Sequence, residues 1–166
     1  MSLLDATPTK IRINRPELGF CAAHFTIFGP AQRERLHGHD YRVGFEYTAV
    51  ADETGLVTDY RIAKAALREI CQGLNERTLI PGRSPFLTVS EDGEDLHCVF
   101  NGERFMFPRG DVQVMDVSNV TLESLSQWIA VRLHQMLDES VGSFGDLRVF
   151  VSAAGEQSAE FSMVKR

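Results

Sequence analysis

Cysteine is scarce in this sequence. Cys21, Cys71 and Cys98 are the only three thiols in 166 residues, and none forms a C-x-x-C pair. An odd, scattered set argues against a disulfide framework and against an all-thiolate zinc site. Basic residues are outnumbered, with 17 Lys and Arg against 23 Asp and Glu, for a net charge of −6. That balance weighs against nucleic acid or an anionic membrane as a partner. It leaves a small anionic substrate open, because local charge decides such binding. No apolar run reaches the ~18 residues of a membrane span, and no charged-then-apolar leader opens the chain. A cytoplasmic protein is the expectation. Repeats, low-complexity segments and linkers are also missing, so one domain across residues 1–166 is expected. What remains is the composition of an ordinary globular protein, 43% hydrophobic and 24% charged. A chain of this length hides roughly 68–70% of its unfolded surface.

Hydrophobic patterning outlines the elements. Ile11 to Phe28 reads as an extended segment interrupted at Pro-Glu-Leu-Gly. After the loop "GPAQRER", a strand runs from about His39 to Val50. "ADETG" then reads as a turn joining it to "LVTDY" in a hairpin. From Asp59 a helix is predicted on the spacing of Ile62, Ala66, Leu67, Ile70 and Leu74, with Gly73 near its end, where a left-handed cap is common. A second helix is predicted from about Thr121, its N-cap, to Asp138, on Leu122, Leu125, Ile129, Leu133 and Met136 or Leu137. Between the helices lie "FLTVS", "LHCVF" and "RFMFP", the last two flanking the Asn101-Gly102 of a type I′ turn. "LRVFVSAA" and "SAEFSMVK" close the chain. The order β-β-α-(hairpin)-α-β-β predicts an α+β domain with two helices on one face of an antiparallel sheet.

The chain has five histidines, and two of them stand at the mouth of a strand in "RLHGHDYRVGF". Residues two apart in a strand face the same way about 7 Å apart, so His37 and His39 leave room for a metal between their rings. His24 closes the set if the two extended segments pair as antiparallel neighbours. Three neutral imidazoles leave one tetrahedral position open, as in catalytic rather than structural zinc sites. On spacing alone, an H-x-H pair in a strand is more often a surface accident. His97 and His134 have no companions and read as structural.

"FCAAHF", "LHGHDYRVGFEY" and "DETGLVTDY", followed by "SNVTLESLSQWIAVRL", resemble in order the motifs of the 6-pyruvoyltetrahydropterin and 6-carboxytetrahydropterin synthase family, over roughly Ile11 to Phe161. The resemblance implies a tunnelling fold that assembles into barrels, commonly a homohexamer, with active sites between subunits. It implies zinc held by His24, His37 and His39. It also implies a pterin-like substrate, 7,8-dihydroneopterin triphosphate, whose side chain is rearranged or cleaved in a lyase reaction while the zinc polarises it.

Against that pattern the chain departs in three places. Arg33 stands where the family's catalytic cysteine is expected, and a guanidinium cannot relay a proton. The neighbouring Glu34 can, as a general base three residues from His37; some relatives use a glutamate near this place. Cys21, three residues from His24, is expected on the opposite strand face. Asn75-Glu76 replaces an aspartate–histidine pair, leaving Glu76 as a second acid. Either glutamate needs a carboxyl pKa near the working pH, and partial burial is expected to raise it. Ala153 replaces the glutamate that anchors the pterin ring, with Glu156 nearby. Glu123 and Asp59 read most simply as helix-start residues. Two readings therefore stand: a zinc-dependent lyase with Glu34 and Glu76 as proton carriers, or a homologue that binds a ligand or partner without the parent reaction. A different zinc-bound substrate would also account for Ala153.

Overall fold

A computed structural model describes residues 7–57, 59–141, 145–153 and 157–164. Among these residues the chain order is β1 (Thr9–His24), β2 (Ile27–Gly29), β3 (Gln32–Arg33), β4 (His37–Ala49), α1 (Tyr60–Leu74), β5 (Arg77–Pro81), β6 (Leu87–Asp92), β7 (Asp95–Phe100), β8 (Glu103–Pro108), β9 (Val112–Met115), α2 (Leu122–Val141), β10 (Leu147–Ala153) and β11 (Gln157–Met163). The main sheet has six strands in the order β11-β10-β4-β1-β5-β9. Its first four strands pair antiparallel, as patterning predicted. The short strands β5 and β9 extend it in parallel, which makes the sheet mixed. Neither was legible in the sequence, because "RTLIP" and "VQVM" are too short to show a period and are buried by their neighbours.

Both helices pack on one face of this sheet. Leu18, Phe20 and Ala22 of β1, Tyr41, Val43, Phe45 and Tyr47 of β4, and Leu147, Val149 and Val151 of β10 supply the sheet side of the core. The period-2 alternation puts each set on a single face. β1 is interrupted where the sequence suggested: its pairing with β4 skips from Asn14–Gly44 to Gly19–Arg42. Glycine is required at the resumption, since a Cβ on Gly19 would lie 2.3 Å from the Tyr41 carbonyl oxygen.

Asp59 caps α1 by accepting a hydrogen bond from the Arg61 amide. The helix buries Ala63, Ala66, Leu67, Ile70, Cys71 and Leu74, while the expected Ile62 is 38% exposed. Nor does Gly73 end it in a left-handed conformation; Glu76 does, with φ of 57°. Among the described residues of the expected "LVTDY" strand no strand forms. The Asp52 carboxylate gathers the Thr54 and Leu56 amides into a tight turn. α2 buries Leu125, Ile129, Ala130, Leu133 and Leu137. Its cap is reciprocal: Thr121 Oγ1 accepts from the Ser124 amide and Ser124 Oγ accepts from the Thr121 amide.

β6, β7 and β8 form a separate three-stranded sheet. Asn101 and Gly102 turn its second hairpin, both at positive φ, as a type I′ turn requires. Leu96, Cys98 and Phe100 pack there with Phe25, Ile27 and Ile80 in a second core. Among the described residues no helix is long and apolar enough to cross a membrane.

Candidate metal centre

The apolar row on the core face of β1 and β4 does not stop where the helices stop covering it. Beyond Ala22 it reaches His24, and before Tyr41 it holds His39 and His37. The register makes His24 and His37 direct cross-strand partners, with Ala22 opposite His39. Their ring centroids lie 4.7 Å (His24–His37), 5.3 Å (His24–His39) and 4.8 Å (His37–His39) apart. One ring nitrogen from each lies within 4.8 Å of the other two.

Backbone carbonyls orient two of these rings. His24 Nδ1 sits 3.0 Å from the Val120 carbonyl and His37 Nδ1 2.8 Å from that of Arg35. A carbonyl only accepts, so each Nδ1 carries a hydrogen, and in the neutral ring that tautomer leaves the lone pair on Nε2. His24 is 6% exposed, and its Nε2 is buried without a hydrogen-bond partner. His37 Nε2 and His39 Nε2 face each other at 3.0 Å. Burial pushes His24 below its ordinary pKa, aided by the other two histidines and opposed by the Val120 bond. Three converging histidine rings, two of them oriented by backbone carbonyls through Nδ1, are what a three-histidine zinc site needs, and the donor set fits that metal.

The histidines floor a cleft of about 350 Å³ whose walls include Glu34, Thr26, Tyr41 and Glu123, with Ala153 and Gln157 beside them. Glu34 is locked to Thr26 at two points. Its amide donates to the Thr26 carbonyl at 2.8 Å, and its Oε2 accepts from the Thr26 amide at 3.0 Å. Partial burial pushes its carboxyl up, as expected, but the Thr26 bonds and the nearby His37 and His24 outweigh that, and the net shift is downward. Glu34 is thus a carboxylate at neutral pH. Burial, then the Glu34 charge, raises the Tyr41 phenol, which stays protonated. Glu123 is held low by bonds to its own amide and to Thr121. It is both a helix-start residue and a wall of the cleft.

The other sequence candidates lie elsewhere. Glu76 is not a wall of the cleft. Its amide donates to the Cys21 carbonyl at 2.7 Å, and the Asn75 side chain accepts from the Cys21 amide. Cys21 is exposed and pairs with Asp40 across the strands, on the face opposite Ala22 and His24, as alternation required. Burial, the Asp40 bond, and the Asp40 and Glu76 charges all raise its thiol. Arg33 turns away from the histidines to Glu103. Glu156 lies outside the described residues. Sequence reasoning missed Tyr41, Thr26, Thr121 as a cleft wall, and Gln157. Tyr41 was findable, since it continues the alternation of His37 and His39. Thr26 and Gln157 carry no local signal.

The family model described as 6-pyruvoyl tetrahydropterin synthase matches residues 14–162. A candidate 6-carboxy-5,6,7,8-tetrahydropterin synthase of Pyrococcus abyssi is 32% identical over 123 residues, 74% of this chain and 73% of its own. One from Methanocaldococcus jannaschii is 26% identical over 114 residues, 68% of this chain and 69% of its own. Among solved structures, the 6-pyruvoyl tetrahydropterin synthase of Plasmodium vivax superposes with a TM-score of 0.89 at 24% identity, over 96% of this chain and 99% of that one. Two further forms of that protein replace a glutamate, described as a catalytic residue, by alanine or cysteine.

Proposed function

The chain belongs to the 6-pyruvoyl tetrahydropterin synthase family, and on that footing we propose that it is a zinc-dependent lyase acting on the side chain of 7,8-dihydroneopterin triphosphate or a related pterin. One observation carries this reading: a ring nitrogen from each of three histidines converges within 4.8 Å beside an ionised carboxylate, Glu34, in one cleft. Zinc held by His24, His37 and His39 would act there as a Lewis acid on the substrate's side-chain oxygens.

In this scheme the chain's own residues do the rest. Glu34, ionised and fixed by Thr26, is the base that takes a proton from the substrate side chain and later returns it. A glutamate has a catalytic role in the Plasmodium vivax relative, which supports giving that role to Glu34. The Tyr41 phenol, still protonated, has a hydrogen bond to donate. Glu76 stands beside Cys21, so it serves as a second acid only when lent to the cleft of a neighbouring copy. A homo-oligomer, in the resemblance a hexamer, is part of the proposal.

Ala153 supports a second reading. A methyl group lines the cleft where a ring-anchoring glutamate is expected, and it offers a pterin no hydrogen bonds. The same fold and histidines would then serve a homologue that binds a ligand or partner without turnover.

Incubating zinc-loaded protein with 7,8-dihydroneopterin triphosphate and following the products by mass separates the two. The lyase reading expects a product with an altered side chain, and Glu34→Gln slows its formation on the order of 10²–10⁴-fold while zinc stays bound. Ligand binding with unchanged mass would establish the second reading instead.

A further inference from the structure

Arg33 occupies the position where a catalytic cysteine was expected, and it is committed on every side. Its guanidinium faces the rings of Phe105 at 4.6 Å, Phe25 at 5.5 Å and Phe100 at 5.9 Å. Its Nε donates to Glu103 Oε2 at 2.8 Å, and Nη2 donates to the same oxygen. Nη1 donates to the backbone carbonyl of Glu34 at 2.6 Å. The side chain is 16% exposed. Glu103, Phe105 and Phe100 all belong to the hairpin of β7 and β8.

The loop that carries Glu34 has little structure of its own. β2 and β3 contribute three and two residues, and a two-stranded ribbon of that size does not hold itself. Besides the packing of Phe25 and Ile27 in the second core, two polar supports from outside fix it. On one side Asn119 donates to the Ile27 carbonyl and accepts from the Ile27 amide. On the other, Arg33 ties the Glu34 carbonyl to the small sheet.

We propose that the β6–β8 sheet is a bracket for Glu34. Through Arg33, as a positioning residue, it sets where that carboxylate stands over the histidines. The inference rests on Glu34 being the base of the proposed reaction. Its physical content is geometric, because a base displaced by about 1 Å can lose on the order of 10²-fold in rate. A lysine would keep the charge but lose both the fork to Glu103 and the stacking on Phe105.

The test uses the full-length, zinc-loaded protein. Arg33→Met should lower kcat on the order of 10–100-fold, with KM and zinc per chain unchanged. Arg33→Lys should recover little of that loss. Glu103→Ala, at a 58% exposed position where folding is not at risk, should lower kcat in the same direction by less. In a Glu34→Gln background Arg33→Met should cost nothing more, because the group it positions is gone. Wild-type kcat in Arg33→Met and Glu103→Ala overturns the proposal, as does a loss equally large with Glu34→Gln present. Hydrogen exchange gives a readout independent of turnover. The Thr26 and Glu34 amides should exchange faster in Arg33→Met while those of β1 and β4 stay protected. If Glu34→Gln alone turns over like wild type, the assignment of Glu34 as base fails. The bracket is then judged by exchange alone, and unchanged Thr26 and Glu34 protection overturns it.

Discussion

At the residue scale, the histidines differ in what holds them. His24 is buried and fixed by Val120, 96 residues away in sequence, whereas His37 is fixed by Arg35, its near neighbour. Removing His37 therefore leaves the core untouched. His37→Ala should keep the fold, read by circular dichroism, and lose most bound zinc. Full zinc occupancy in that variant by plasma mass spectrometry would refute the three-histidine assignment.

The cysteines make a second residue-scale prediction with a definite pH sign. Burial pushes Cys71 up to about 12 and Cys98 up to about 11, and both thiols are buried. Cys21 alone is exposed, with its thiol raised less far. The thiolate is the nucleophile, so raising the pKa slows alkylation at fixed pH. At pH 8 one iodoacetamide per chain should add, at Cys21, more slowly than to a free thiol and with a rate still climbing above pH 9. All three should react after unfolding. Two or more adducts on the native protein would contradict the burial. Because the Cys71 pKa is raised on folding, its contribution to stability is complete below pH 9. It is lost as pH climbs from 9 toward 12.

At the element scale, α2 has two tasks. Its buried stripe closes the core, and its start, with the Thr121 cap and Glu123, walls the cleft. The carbonyl that orients His24 belongs to Val120, just before it. Ile129 is fully buried in mid-helix, so Ile129→Ala should cost about 2–5 kcal/mol in urea unfolding and leave zinc content unchanged. A cost under about 1 kcal/mol would mean the stripe is not packed as described. The register of β1 against β4 matters as much. A one-residue slip would turn His24 away from His37 and every apolar partner with it, so the burial of Phe20, Val43 and Phe45 also fixes where the three histidines meet.

At the scale of the whole molecule, the main sheet ends in β11 on one side and β9 on the other, neither paired further among the described residues. Open strand edges invite pairing, and closing a barrel across copies removes them. The expected outcome is a homohexamer by multi-angle light scattering at micromolar concentration. A monomer there would refute the assembly and leave Glu76 without a route to the chemistry.

Local geometry made part of this legible in advance. Strand alternation alone put His37, His39 and the core row of β4 on one face. The Asn101-Gly102 turn, the Thr121 cap and the antiparallel core of the sheet followed from residue preferences that act over a few positions. The motif order of the resemblance placed His24 with the other two histidines. Only the tertiary structure decided the rest, because those features depend on partners far apart in the chain. The parallel strands β5 and β9 exist because their neighbours bury them, not because their own sequences alternate. Glu34 is an ionised carboxylate because Thr26, His37 and His24 surround it, whereas from sequence its partial burial was expected to raise its pKa. Glu76 matched a motif position yet leaves the cleft with the chain at the end of α1. Arg33, read from sequence as a missing cysteine, takes its place from Phe105 and Glu103, some seventy residues away, where no local pattern points.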